Sequence, residues 1–103
     1  MSDPMRIRAQ LKGDVTEVRV LMAHVMETGQ RRDSAGATIP AHFIQSISAT
    51  HNGKTVLSAY FGPAVSQNPV MNFSFKGGAK GDKVVITWTD NKGAKRTDET
   101  AIA

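Results

Sequence analysis

Three histidines, His24, His42 and His51, supply the imidazoles that a metal site or a proton relay would need. No pair has the spacing of ligands on one helical face, and the sequence has no cysteine to complete a set. They read as ordinary polar histidines, and neither a metal nor a cofactor is expected. Glu27 and Asp33 could be imagined as an acid–base pair, but Arg31 and Arg32 lie between them and solvated ion pairs explain the group more simply. A serine nucleophile would need a G-x-S-x-G elbow, and none occurs. The run from Gly77 to Asp82 lacks the G-x-x-x-x-G-K-[ST] order and leads into a strand pattern, so it is a turn and not a phosphate cradle. Asn72-Phe73-Ser74 matches a glycosylation triplet but falls inside a strand pattern, where an acceptor would be inaccessible. No catalytic residue is expected.

The absence of cysteine also excludes disulfides, zinc fingers, iron–sulfur ligation and thiol nucleophiles, while leaving the compartment open. The N-terminus, Met1 to Arg8, has neither the apolar stretch of a secretory signal nor the length of a membrane span, and taken alone it reads as cytoplasmic. At 103 residues one domain spanning 1–103 is expected, burying roughly 65% of its unfolded surface. The net charge of +4 invites a nucleic-acid reading. The basic residues look scattered, however, and Phe73, Phe75 and Trp88 occupy inward strand positions and not stacking platforms. A solvated β surface is the reading, with no nucleic acid and no membrane as partners.

What must position these side chains is a set of strands. Met5, Ile7, Ala9 and Leu11 alternate with Arg6, Arg8, Gln10 and Lys12, the period of a half-buried strand. Gly13-Asp14 turns the chain, and Val18, Val20 and Met22 continue the alternation. Phe43 to His51 and Lys54 to Phe61 flank Asn52-Gly53, a pair that tolerates the positive φ of a type I′ hairpin. Met71, Phe73 and Phe75, the run from Gly77 to Asp82, and Val84 to Thr89 read as a further hairpin. After a turn at Asp90 to Gly93, Lys95 to Thr100 is short and charged, as suits an edge strand. With no helical periodicity, this is an all-β chain, an immunoglobulin-like antiparallel β-sandwich of about seven strands.

Two features do not fit an isolated sandwich. The connection from Ala23 to Ala41 is longer than most loops. The Lys54 to Phe61 strand is apolar on both faces, with Val56 and Tyr60 on one and Leu57, Ala59 and Phe61 on the other, which suggests either a partner or cover by the chain's own loops.

Several blocks carry a resemblance across nearly the whole chain. They are Asp3 to Ala9, His24-Val25-Met26-Glu27-Thr28-Gly29, Ile39 to Ile44, His51 to Lys54, Gly62 to Ser66 with Asn68-Pro69, Phe73 to Gly77, Trp88 to Gly93, and Arg96-Thr97-Asp98. Through them the sequence closely resembles the SoxZ family. One departure is Val25, where the family motif has proline, so this chain lacks that restriction on φ at the loop entry.

The resemblance implies a sandwich paired one-to-one with a SoxY-like protein, whose C-terminal cysteine arm carries thiosulfate-derived sulfur among periplasmic Sox enzymes. Contacts with those enzymes would be transient. It also implies a periplasmic location reached by export together with the partner. Partner-binding candidates are His24, Met26, Glu27, Thr28, Gly29, Arg31, Pro40, His42 and Phe43 from the motifs, and Leu57, Tyr60 and Phe61 from the doubly apolar strand. A free-standing β-sandwich binding or adhesion module is the alternative from another class, and a hydrolase using His24 or His42 with Glu27 is a third.

Overall fold

The computed structural model describes residues 3–62 and 64–103. Seven strands form in chain order: β1 (Arg6–Lys12), β2 (Val15–Leu21), β3 (Ile44–His51), β4 (Lys54–Tyr60), β5 (Val70–Lys76), β6 (Lys83–Asp90) and β7 (Lys95–Ala101). They make two antiparallel sheets, β1-β2-β5 and β4-β3-β6-β7, the expected sandwich. Among the described residues no helix is long and apolar enough to cross a membrane.

Alternation decides which side chains face the other sheet. Ala9, Val18, Val20 and Phe75 from one sheet meet Ile47, Ala49, Val84, Ile86 and Trp88 from the other, in a single buried cluster that Met22, Met26, Ile44 and Ile102 extend. Asn52 and Gly53 both have positive φ, 49° and 85°, as the β3–β4 hairpin turn requires. Beyond β7 the chain crosses to the other sheet: Leu11 N–H donates to Ala103 O at 3.1 Å and Ala103 N–H to Ala9 O at 2.9 Å. That strap closes the β1/β7 side of the sandwich.

One expected hairpin does not form. β5 pairs with β2 and β6 with β3 and β7, so the segment from Gly77 to Asp82 crosses between sheets. Its backbone is claimed elsewhere, with Gly77 N–H bonded to Asp14 O and Gly81 N–H to Ile102 O. A Cβ on Gly78 would run into Thr16 Oγ1, whose hydroxyl donates to Gly77 O at 2.7 Å, so only glycine lets the crossing lie against β2.

Two register steps bend the central hairpin. Ala49 pairs with Leu57 and Thr50 with Thr55, leaving Val56 without a partner on β3. Ile44 pairs with Asp90 and Ser46 with Thr89, leaving Gln45 without one on β6. Such bulges reset which face a side chain meets.

The long connection is a narrow arm. Glu27 bridges to His42, and Arg32 to Thr38. At its tip the Asp33 carboxylate accepts the N–H groups of Ala35 (2.9 Å) and Ala37 (3.0 Å). Every residue from Gln30 to Thr38 is exposed.

Candidate partner-binding site

The base of the arm is organised by a carboxylate that strand parity places inside. Val84, Ile86, Trp88 and Asp90 are the buried alternate residues of β6. Asp90 therefore continues a hydrophobic row, and its buried charge demands donors. Oδ1 accepts the N–H groups of Lys92 (3.0 Å) and Ala94 (2.8 Å) across the β6–β7 turn. Oδ2 accepts His24 Nε2–H at 3.1 Å and His42 Nε2–H at 2.7 Å. Burial by itself pushes the Asp90 carboxyl up, but these donors together outweigh it and hold it below the usual carboxylate range.

Neighbouring groups fix the geometry. His24 packs edge-on against Trp88 and His42, with ring centroids 5.1 and 4.6 Å away. Asn91 Oδ1 accepts Phe43 N–H at 2.8 Å, and its Nδ2 donates to Ala41 O at 2.9 Å. Asn68 Oδ1 accepts His24 N–H at 3.0 Å, while Asn68 N–H donates to His24 O at 2.9 Å. The indole N–H of Trp88 is buried without an acceptor among the described residues.

Two imidazoles and one carboxylate within 4.8 Å could in principle hold a metal ion. The protons argue otherwise. His24 Nδ1 accepts Met26 N–H at 3.1 Å, so in the neutral ring the proton resides on Nε2, where it is donated to Asp90. A metal at Nε2 would need that proton moved to Nδ1, against an N–H that already points there. Metal-bound histidines ordinarily donate from their second nitrogen, the reverse of this arrangement. The cluster is built as a hydrogen-bonded clamp.

The motif residues divide accordingly. His24 and Met26 are buried, the latter at φ 50° with its sulfur 3.3 Å from Ile44 N. Phe43 packs against the core. Gly29 has φ 87°, and a Cβ there would stand 3.1 Å from Ala41 Cβ. Glu27, half-buried, accepts Arg31 Nε–H at 3.1 Å, and that guanidinium holds its carboxyl below the usual range. Asp33 takes no part in that pair. Thr28, Arg31 and Pro40 are exposed, and His42 is half-buried. His51 lies at the far end of β3, bonded to Asp82 Oδ2 at 2.7 Å. Leu57 on β4 and Phe61 just after it pack against the core, as does the unpaired Val56, whereas Tyr60 is 87% exposed. The apolar character of both faces of β4 is thus largely explained by the bulge, and Tyr60 is the large side chain left outside.

Residues 5–101 match the family described as "SoxZ: Sulphur oxidation protein SoxZ". The chain belongs to the SoxZ family. No curated protein matches it. Among solved structures it is similar to a superoxide reductase (neelaredoxin) from Ignicoccus hospitalis, with 16% identity and a TM-score of 0.62, over 98% of this chain and 80% of that one. A hypothetical protein from Pyrococcus horikoshii gives 18%, 0.67, 99% and 89% for the same quantities. A variant superoxide reductase from Archaeoglobus fulgidus gives 20%, 0.58, 97% and 86%. At such identities the likeness is one of fold alone.

In this SoxZ-family chain the blocks His24 to Gly29, Ile39 to Ile44, Asn68-Pro69 and Trp88 to Gly93 meet at one end of the sandwich, joined through Asp90, Asn91 and Asn68. These three joining residues were not among the candidates. Asp90 had a signal, since it shares the parity of Val84, Ile86 and Trp88. The two asparagines lie in the resembling blocks Asn68-Pro69 and Trp88 to Gly93, but their bonding partners are distant in sequence and their joining role is visible only in the fold.

Proposed function

We propose that this chain is the non-catalytic half of a sulfur-carrier heterodimer, pairing with a SoxY-like protein whose C-terminal cysteine holds the sulfur intermediate. The observation that carries the reading is the absence of cysteine in a chain of a sulphur-oxidation family. Covalent sulfur carriage needs a thiolate, and the five methionines are thioethers. The chain's contribution is then a rigid docking frame, which suits an arm clamped at its base by Asp90.

The proposed contact centres on Tyr60, with Thr28, Arg31, Pro40 and His42 as further contacts on the arm. Tyr60 stands on an outer sheet face beside Ser46, Ser48, Ser58, Thr87 and Thr89, with Lys95 next to Thr89. An exposed tyrosine among small hydroxyl side chains is the composition of an interface anchor. A constitutive pair should bury at least about 1,200 Å² in total. The place of action is the periplasm, reached together with the partner.

The test is intact-mass spectrometry of the co-purified pair after exposure to thiosulfate and the other Sox enzymes. A sulfur adduct is expected on the partner and none on this chain. A stable adduct here would contradict the reading.

A further inference from the structure

The basic residues that look scattered in the sequence converge in the fold. On the outer face of β1-β2-β5 the register sets Arg6 beside Leu21 and Val70, and Arg8 beside Arg19 and Asn72. Lys12 and Lys76 flank Val15 at the far end. The carboxylate on this face, Glu17, is engaged by Lys12 at 3.1 Å. The guanidinium groups of Arg6, Arg8 and Arg19 have no hydrogen-bond or ion-pair partner among the described residues, and Arg8 directly faces Arg19. Like charges opposite one another weaken a sheet, so the folded chain carries a cost here that a single neutral substitution would remove.

Beside the three guanidinium groups, Leu21 and Val70 are cross-strand neighbours and 37% and 45% exposed. Arginine around an exposed apolar pair is the make-up of a protein interface. We propose that this face docks an acidic protein segment, separately from the pairing surface around Tyr60 and independently of that reading.

The geometry specifies the segment's chemistry. Arg6 and Arg8 are two residues apart on one strand, a repeat of about 6.6 Å that alternate side chains of an extended acidic segment also have. Each guanidinium fork can donate two parallel hydrogen bonds to one carboxylate, a geometry lysine cannot offer. Nucleic acid fits less well. Phe73 and Phe75 pack toward the core and Tyr60 lies on the other sheet, so the face offers no aromatic stacking platform.

The test uses the full chain and a fluorescein-labelled peptide with glutamate at alternate positions and one central leucine. Binding is followed by fluorescence anisotropy, and the site is mapped by amide chemical shifts. Arg6→Ser/Arg8→Ser/Arg19→Ser is expected to weaken binding about tenfold, with a shallower salt dependence. Lys54→Ser/Lys92→Ser/Lys95→Ser removes the same charge elsewhere and should change it less than about twofold. Shifts should fall on β1, β2 and β5, and unchanged spectra for both variants outside the substituted sites confirm folding. No binding, equal losses in the two variants, or shifts on the other sheet would overturn the proposal. So would tighter binding, on this same face, of an oligothymidylate or an anionic vesicle of matched charge.

Discussion

His42 Nε2 lies 2.7 Å from Asp90 Oδ2, so the base of the projecting arm is bonded to the carboxylate that ends the inward row of β6. Through that oxygen and its neighbour, Asp90 joins His24, the arm and the β6–β7 turn. Besides its backbone bridges the arm is anchored by these side-chain hydrogen bonds, and its stability should be sensitive to the one carboxylate that collects them.

Asp90→Asn would keep one acceptor oxygen but turn an NH₂ group toward at least one existing donor. It is expected to destabilise the chain by about 2–4 kcal/mol, since buried polar groups would lose their partners. His42→Gln, at a half-buried position, should cost about 0.5–1.5 kcal/mol. Urea unfolding at neutral pH measures both, and an Asp90→Asn effect under about 0.5 kcal/mol would contradict the clamp.

Acid should unfold the protein through the same group. The carboxyls of Asp90, Asp98 and Asp82 are all held below their ordinary range, Asp98 first by the Arg96 guanidinium and Asp82 first by His51. A depressed folded value means the stabilisation is full above the unfolded value of about 3.9 and is lost as pH falls through the folded one. Thermal melts between neutral pH and pH 3 should show falling stability, with a weaker dependence in Asp90→Asn. A flat profile would contradict this.

The protonation pattern of His24 predicts weak metal affinity. After incubation with zinc and dialysis, inductively coupled plasma mass spectrometry should find well under one equivalent. Stoichiometric zinc, lost in His42→Ala, would show that the Met26 N–H to His24 Nδ1 bond yields to a ligand.

Much of the fold was legible because strands repeat every two residues and turns need particular backbone angles. Ala9, Val18, Ile86 and Trp88 lie inside as their alternation required, and Asn52-Gly53 turns the chain as its residue types allowed. What escaped was set by partners distant in sequence. The Gly77 to Asp82 segment is a good turn in isolation, yet Asp14 and Ile102 direct it across to the other sheet. Strand alternation puts Val56 on the same face as Tyr60, but a bulge carries it toward the core while Tyr60 stays out. The arginines alternate in the sequence like any solvated strand, and only the register reveals that Arg8 faces Arg19.

That juxtaposition gives a stability prediction of its own. Arg19→Thr should raise the melting temperature modestly, by the equivalent of about 0.2–1 kcal/mol, and more at low salt than at high. Differential scanning calorimetry at two salt concentrations checks it, and a loss of stability at low salt would show that the two guanidinium groups do not repel.

The central claim is tested most directly by size-exclusion chromatography of the chain co-expressed with a SoxY-like cysteine-arm protein, with circular dichroism of each variant. The wild-type chain should elute as a one-to-one pair, and Tyr60→Asp should abolish pairing while the sandwich stays folded, because a carboxylate there is desolvated only in the complex. Leu57→Asp and Phe61→Asp should lose both the fold and the pair. Pairing of Tyr60→Asp at wild-type affinity would rule out this face as the interface, and a wild-type chain that eluted alone would contradict the heterodimer itself.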